Sequence, residues 1–430
     1  MQTSSLLNKG FSKKPLNVYI KGGDILLTAK DALGCTFTLP VTAPSDMLQI
    51  IRKGNFFCPC CNGGLILKAG SIKIPHFAHK SNHGCNASSE PESLYHLLGK
   101  RKLFNWLLSR GIYAELECYL PEIRQRADIL AIIGDIKYAI EFQCSSISQA
   151  EFEKRTNSYR SAGIFPVWLL SEKWLEHHSG FSINITSFTS LFMKGTAEAP
   201  YLLSYSPLEN RLFIRRNLSS ISSRKWLGEF AAFYLDGLPP KMTLPLQTPS
   251  WFNEWWKSRE RWLMAITTHG SIHKNFLFQL YTSGLSPASL PAEIGIPVSG
   301  SHLIETAAIQ WQALIYIGTF KKVPVNGIVS AGVVKKCFSR HINKGDIRLR
   351  SFPLMEAVHP WIPVIKYFEL LETAGYMEKI SGSAWRKRKD FTILETKDEQ
   401  KEFSLKWNVI LKNHWQTKVH DFSDYFPLLQ

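Results

Sequence analysis

The chain has 430 residues, 45% of them apolar, and a formal net charge of +16, which suits two to four folded domains and argues against a disordered chain. No run approaches the ~18 uncharged apolar residues of a membrane span, and residues 1–10 lack the apolar core of a secretory signal, so a cytoplasmic protein without a membrane partner is expected. Eight cysteines are too sparse for a disulfide scaffold, and Cys58, Cys60, Cys61 and Cys85 cluster within 28 residues, which favours a metal. Lys and Arg against Asp and Glu give +7 for residues 1–89 (10 against 3), zero for 90–175 (11 against 11) and +9 for 176–430 (30 against 21). Basic flanks beside a neutral centre suit a protein that holds a phosphate backbone.

Residues 16–45 read as short strands with a Gly22-Gly23-Asp24 turn, followed by a Cys/His segment from Phe56 to Cys85, together a small metal-pinned β-rich module. Cys58 and Cys61 form a C-x-x-C knuckle, half of a tetrahedral zinc site. The other half must come from His76, His79, His83 or Cys85. His79 and Cys85 are the chosen pair, since a short turn between them lets both converge while Phe77 anchors the segment; His76 is the close substitute and Cys60 a bystander. A structural Zn²⁺ would staple a domain too small to hold itself.

Helical spacing of Leu94, Leu97, Leu98, Leu103, Trp106 and Leu107 predicts an amphipathic helix over 93–108, started by Pro91 and Ser93. Strands follow over 113–120, 127–133 and 138–144, the last two joined as a hairpin through Gly134-Asp135. A helix over 148–161 leads to a strand over 165–170. Residues 179–200 read as a connection into a separate C-terminal region, which opens on a hairpin over 201–214 and then turns helical. There the tryptophan-rich patch 251–262 reads as packing rather than base stacking, and a helix within 361–380 precedes the basic Ser383–Lys389 loop, a candidate winged-helix DNA contact.

Two acids stand inside the apolar strands, Asp128 and Glu141. A buried charge is costly unless it is paired or holds a cation, so two acids in neighbouring strands suggest a Mg²⁺ (or Mn²⁺) site for phosphodiester cleavage. Strand alternation places Gln143 on the face of Glu141. The structural alternatives are ion pairing of Asp128 with Arg124 or Arg126, and a half-buried edge position for Glu141. Glu92, His96 and Lys100 are spaced i, i+4, i+8 on the first helix, so Glu92 is a further candidate ligand; a solvated polar stripe is the competing account. Arg155 and Tyr159 share a face of the second helix and, with Lys100, are candidate DNA contacts.

Several runs occur in one order: Phe57-Cys58-Pro59-Cys60-Cys61, His76-Phe77-Ala78-His79, Glu92-Ser93 with His96, Arg126-Ala127-Asp128, Glu141-Phe142-Gln143-Cys144-Ser145-Ser146-Ile147-Ser148 and Arg155-Thr156-Asn157-Ser158-Tyr159-Arg160. Their arrangement resembles the PD-(D/E)xK nuclease superfamily, and their wording is closer still to the competence protein CoiA family. The resemblance implies an α/β protein with a restriction-endonuclease-like α/β/α core. Its domains would be a zinc-finger-like module at 1–88, a nuclease-like domain at 89–178 and a mostly helical domain at 190–430. It also implies a role in natural transformation, acting on incoming DNA or recombination intermediates, with single-stranded or branched DNA and recombination proteins as partners. The superfamily's usual lysine is Gln143 here, and a neutral amide can orient a group only by hydrogen bonding. The CoiA-like wording itself carries glutamine at this place; the alternative reading is a non-catalytic adaptor that uses the zinc module and nuclease fold to bind DNA or recombination proteins.

Overall fold

Short apolar runs separated by turn residues favour small antiparallel sheets, and the first part of the chain folds that way. The computed structural model describes residues 25–40, 43–70, 75–80, 85, 93–175, 181–238, 243–244, 252–268, 273–356, 358–415 and 420–421. The chain divides into two compact units, residues 1–105 with 114–130 and residues 106–113 with 131–430.

In the first unit, β1 (Ile25–Leu26), β2 (Thr28–Lys30), β3 (Thr36–Thr38), α1 (Ser45–Lys53), β4 (Phe56–Phe57), β5 (Gly64–Lys68) and β6 (His76–His79) make a sheet of order β1-β6-β5-β4-β2-β3, with α1 between β3 and β4 in sequence. Its core consists of Leu26, Ala29, Leu39, Ile51, Leu65 and Phe77 with the buried Cys58 and Cys85. At about 1.5–3 kcal/mol for each large side chain, against about 1–2 kcal/mol of backbone entropy per ordered residue, so few residues make a marginal core. Next comes α2 (Leu94–Ser109), where the Ser93 hydroxyl accepts the His96 N–H at 3.2 Å, as a capping serine does.

The strand expected over 113–120 is broken at Glu117, whose φ of 53° is left-handed. The result is β7 (Tyr113–Leu116) and β8 (Tyr119–Leu120), the latter pairing with β9 (Gln125–Arg126). The reason lies in the carboxylate: the Glu117 N–H bonds the Asp128 carbonyl at 2.8 Å while its side chain turns inward to a buried partner.

β10 (Ile129–Ile133) and β11 (Ile136–Gln143) form the expected hairpin, with Gly134 at φ 58°. The Ser148 hydroxyl caps α3 (Gln149–Ser161), which leads to β12 (Ile164–Ser171), parallel to β11 with Glu141 opposite Trp168 and Gln143 opposite Leu170. Ile140, Glu141 and Phe142 are all buried, because β11 is covered on both faces rather than alternating in and out.

The stretch 179–200 is more than a connector. It holds β13 (Ser182–Asn184), α4 (Ser187–Ser190) and β14 (Lys194–Gly195), and the hairpin that follows joins the same sheet instead of opening a new region. β15 (Pro200–Ser206), β16 (Arg211–Ser220) and β17 (Lys225–Tyr234) extend the sheet in the order β13-β17-β16-β15-β12-β11-β10, with β15 parallel to β12.

The rest is mainly helical and carries, besides a three-stranded sheet, the short pair β18 (Thr243–Leu244) and β22 (His420–Asp421). It comprises α5 (Phe252–Thr268), α6 (Lys274–Thr282), α7 (Ala308–Ile315), β19 (Ile328–Ser330), α8 (Ala331–Asn343), α9 (Ile362–Thr373), β20 (Met377–Ser381), β21 (Ala384–Lys387) and α10 (Lys397–Trp415). The three strands pair in the order β19-β21-β20. Trp255, Trp311, Tyr367, Phe368 and Trp407 centre its core, and Trp255 donates its indole N–H to the Gly295 carbonyl at 2.7 Å. None of the described helices is long and apolar enough to cross a membrane.

Candidate functional site

The tight turn after β4 carries Cys58 and Cys61, and β6 ends in His79. The donor atoms of Cys58, Cys61, His79 and Cys85 all lie within 4.8 Å of one another. Cys58 Sγ is 3.9 Å from Cys85 Sγ, and Cys61 Sγ is 3.3 Å from His79 Nε2. Zn–S bonds of about 2.3 Å in a tetrahedron require S···S edges of about 3.8 Å, so these four residues fit a structural Zn²⁺. The Cys60 and Gly63 N–H groups each donate to a ligand sulfur at 3.4 Å, which orients both sulfurs. His76 and His79 are three apart on one strand and therefore face opposite ways. His76 is buried outside the group, Cys60 is also outside it, and His83 lies outside the described residues.

The second cluster in the first unit surrounds Asp128, the residue just before β10. His96 Nε2 is 3.0 Å from Asp128 Oδ2, and Lys100 Nζ is 3.8 Å from Asp128 Oδ1. Lys100 is fully buried, with its ammonium 2.6 Å from Glu117 Oε1. Glu117 Oε2 accepts the Leu27 N–H at 2.7 Å, the Thr28 N–H at 3.1 Å and the Thr28 hydroxyl at 3.1 Å. Burial alone would raise this carboxyl, but Lys100 and Arg126 outweigh it and hold Glu117 below the ordinary carboxylate range. The expected phosphate contact by Lys100 is thereby corrected, because its charge is spent on a buried acid. Glu117 is not among the acids singled out in the sequence, although the criterion that selects Asp128, a carboxylate among apolar strand residues, selects it too.

In the second unit, Glu141 is 4% exposed. Its Oε1 accepts a hydrogen bond from Arg155 at 2.5 Å and another from the Tyr159 hydroxyl. These residues are i, i+4 on α3, so one helical face supplies both donors. Thr156 accepts the Trp168 indole N–H at 3.1 Å, and Arg155 stands 5.8 Å from the Trp168 ring centroid, which fixes α3 against β12. Arg155 and Tyr159 thus orient a carboxylate, whatever else they touch. The Gln143 amide donates to the Ser145 carbonyl at 2.9 Å. Glu92 lies outside the described residues.

The basic Ser383–Lys389 segment is no loose loop. It is largely β21, where Lys387 Nζ is 2.7 Å from the Val323 carbonyl and 2.7 Å from Asp390, Arg386 pairs with Glu378 at 3.1 Å, and Lys389 sits 3.9 Å from the Tyr376 ring centroid.

The model of the competence protein CoiA nuclease-like domain matches residues 92–244, that of the CoiA N-terminal domain residues 42–88, and that of the CoiA C-terminal domain residues 252–400. β13 to β17 thus fall within the nuclease-like match. The competence protein CoiA of Bacillus subtilis (strain 168) is 30% identical over 353 residues, which cover 77% of this chain and 89% of the relative. No solved structure matches the chain. With a Cys₃His cluster in its N-terminal part and a nuclease-like domain in its centre, the chain belongs to the competence protein CoiA family.

Proposed function

We propose that this protein processes DNA during natural transformation by Mg²⁺-dependent (or Mn²⁺-dependent) phosphodiester hydrolysis. The observation that carries this reading is the buried Glu141, held at one oxygen by Arg155 and Tyr159 on a central strand of the nuclease-like domain. A carboxylate fixed by a cation and a phenol is oriented, as a hard-metal ligand must be. Asp128, the residue just before β10 and steadied by His96, is the second proposed ligand. Glu92, which lies outside the described residues, is proposed as the third. The metal would supply a hydroxide nucleophile and shield the phosphate charge. Gln143 would position water or phosphate through its amide, and Arg155 and Tyr159 would act through Glu141.

The substrates proposed are incoming single-stranded DNA and branched recombination intermediates, with recombination proteins as further partners. Gln143 favours a second reading, a DNA-binding adaptor that does not cut, because an amide cannot carry the charge that lysine would bring to the transition state. Cleavage assays with Mg²⁺ or Mn²⁺ on single-stranded, duplex and branched oligonucleotides separate the two. Hydrolysis that falls at least about 100-fold in Asp128→Ala, with the fold intact, supports the nuclease. Equal cleavage by the variant contradicts this site, and absence of cleavage by the wild type supports the adaptor.

A further inference from the structure

Residues 321–350 hold eight Lys and Arg against one acid, Asp346, so thirty residues carry +7 of the chain's +16. Asp346 is itself bound, 2.9 Å from His341 Nδ1. These residues lie in a helix-strand-helix-helix-strand-strand array, α7-β19-α8-α9-β20-β21, whose sheet order β19-β21-β20 is that of a winged helix. A winged helix usually reads DNA with its third helix, here α9. That helix is unsuited to reading DNA, because Val364, Tyr367, Phe368, Leu370 and Leu371 are buried, and Lys366 already bridges Glu198 at 3.1 Å and Glu369 at 3.0 Å.

The preceding helix is different. α8 buries Val334, Cys337, Phe338 and His341 and exposes Lys335, Lys336, Ser339, Arg340, Asn343 and, just past its end, Lys344. At 100° per residue, the exposed set occupies one half of the helix surface. Lys336, Arg340 and Lys344 are successive i, i+4 neighbours, an arrangement of like charges that weakens a helix on its own. Nearby, the turn 316–320 packs on α8 so closely that a Cβ at Gly318 would lie 2.4 Å from Cys337 Sγ, and Lys321 and Lys322 follow it directly. Among the described residues, Lys321, Lys322, Lys335, Lys336 and Lys344 have no ion-pair partner.

We propose that the exposed face of α8, with Lys321 and Lys322, binds the phosphate backbone of nucleic acid. Hydroxyl and amide side chains between the cations (Ser339, Asn343) suit phosphate oxygens, and a polyanion relieves the like-charge column. A bilayer surface fits less well: the apolar side of α8 is buried in the core, and Val333 is its one strongly exposed apolar side chain. This surface lies outside the nuclease-like match and does not depend on hydrolysis.

The test uses the full-length chain and a fluorescent duplex of arbitrary sequence, without added divalent cation, from 50 to 200 mM salt. Replacing Lys335, Lys336 and Lys344 together by Gln should weaken binding by on the order of tenfold or more at low salt. It should also lower the slope of log affinity against log salt by about 2.7, from three phosphates at about 0.9 each. Lys336→Gln alone should lower the slope by about 0.9, which keeps the test decisive if the triple variant misfolds. Lys379→Gln with Arg388→Gln, on the β20-β21 hairpin, should leave the slope unchanged. A folded triple variant with wild-type slope and affinity overturns the proposal. So does a variant that loses binding to phosphatidylglycerol vesicles but keeps binding to DNA. Binding of this kind supports the surface whether or not the protein cleaves DNA when Mg²⁺ or Mn²⁺ is then supplied; only absence of cleavage with the cation present contradicts the hydrolytic reading.

Discussion

The most informative single residue in the first unit is Glu117, a fully buried acid with four donors aimed at it: Lys100, the Leu27 and Thr28 amides and the Thr28 hydroxyl. Because it is held below its ordinary value of 4.5, its contribution is complete above that pH and is lost as pH falls through the depressed value. Lys100→Met removes the stronger of the two counter-charges of that buried carboxylate and leaves Arg126 alone, and denaturant melts followed by circular dichroism should show a loss of about 3–5 kcal/mol at pH 7. The deficit should shrink toward pH 5, where a protonated Glu117 needs no counter-charge; a loss under about 1 kcal/mol, or one independent of pH, contradicts the account. The spacing of His96 and Lys100 is legible in the sequence, but a helical stripe does not reveal which side faces inward. The stripe therefore suggests a DNA contact for Lys100 and hides its acid partner, seventeen positions away across a chain reversal. Arg155 and Tyr159 carry the same ambiguity, and only the register of α3 against β11 turns them toward Glu141.

At the scale of elements, the zinc knuckle shows why some sites are readable. The C-x-x-C spacing is local, and the period of two on β6 turns His79 and His76 to opposite faces, so only one of them can join the knuckle; the structure puts His79 there. Two variants test this. His79→Ala should lose stoichiometric zinc by elemental analysis and His76→Ala should retain it; the reverse result would reassign the ligand. The hairpin β10-β11 and the helices α2 and α3 are legible for the same reason, since local periodicity and capping serines define them. What escapes is non-local. The parallel pairing of β12 with β15 joins residues more than thirty apart, and the Ser/Thr-rich stretch between them looks like a linker until that pairing exists. The helix over 362–373 is legible, but whether its basic sequel is free or bound depends on Glu378, Asp390 and carbonyls elsewhere in the fold.

For the whole molecule, composition anticipates the division of labour better than the details. All thirteen tryptophans belong to residues of the second unit, and the Cys₃His cluster belongs to the first. Chelation at neutral pH should therefore release zinc and expose the cysteines to thiol reagents while tryptophan emission keeps its wavelength. A red shift on zinc removal would show that the second core depends on the metal. The basic excess, a diffuse +9 over residues 176–430, resolves into one stretch at 321–350. We propose that Asp128 and Glu141 serve one hard metal, and Mn²⁺ binding followed by electron paramagnetic resonance tests that pairing. The wild type should take up Mn²⁺ at this site, and Asp128→Ala, Glu141→Ala and the double variant should each lose that same ion. Undiminished Mn²⁺ binding in either single variant, with the fold intact, would contradict it.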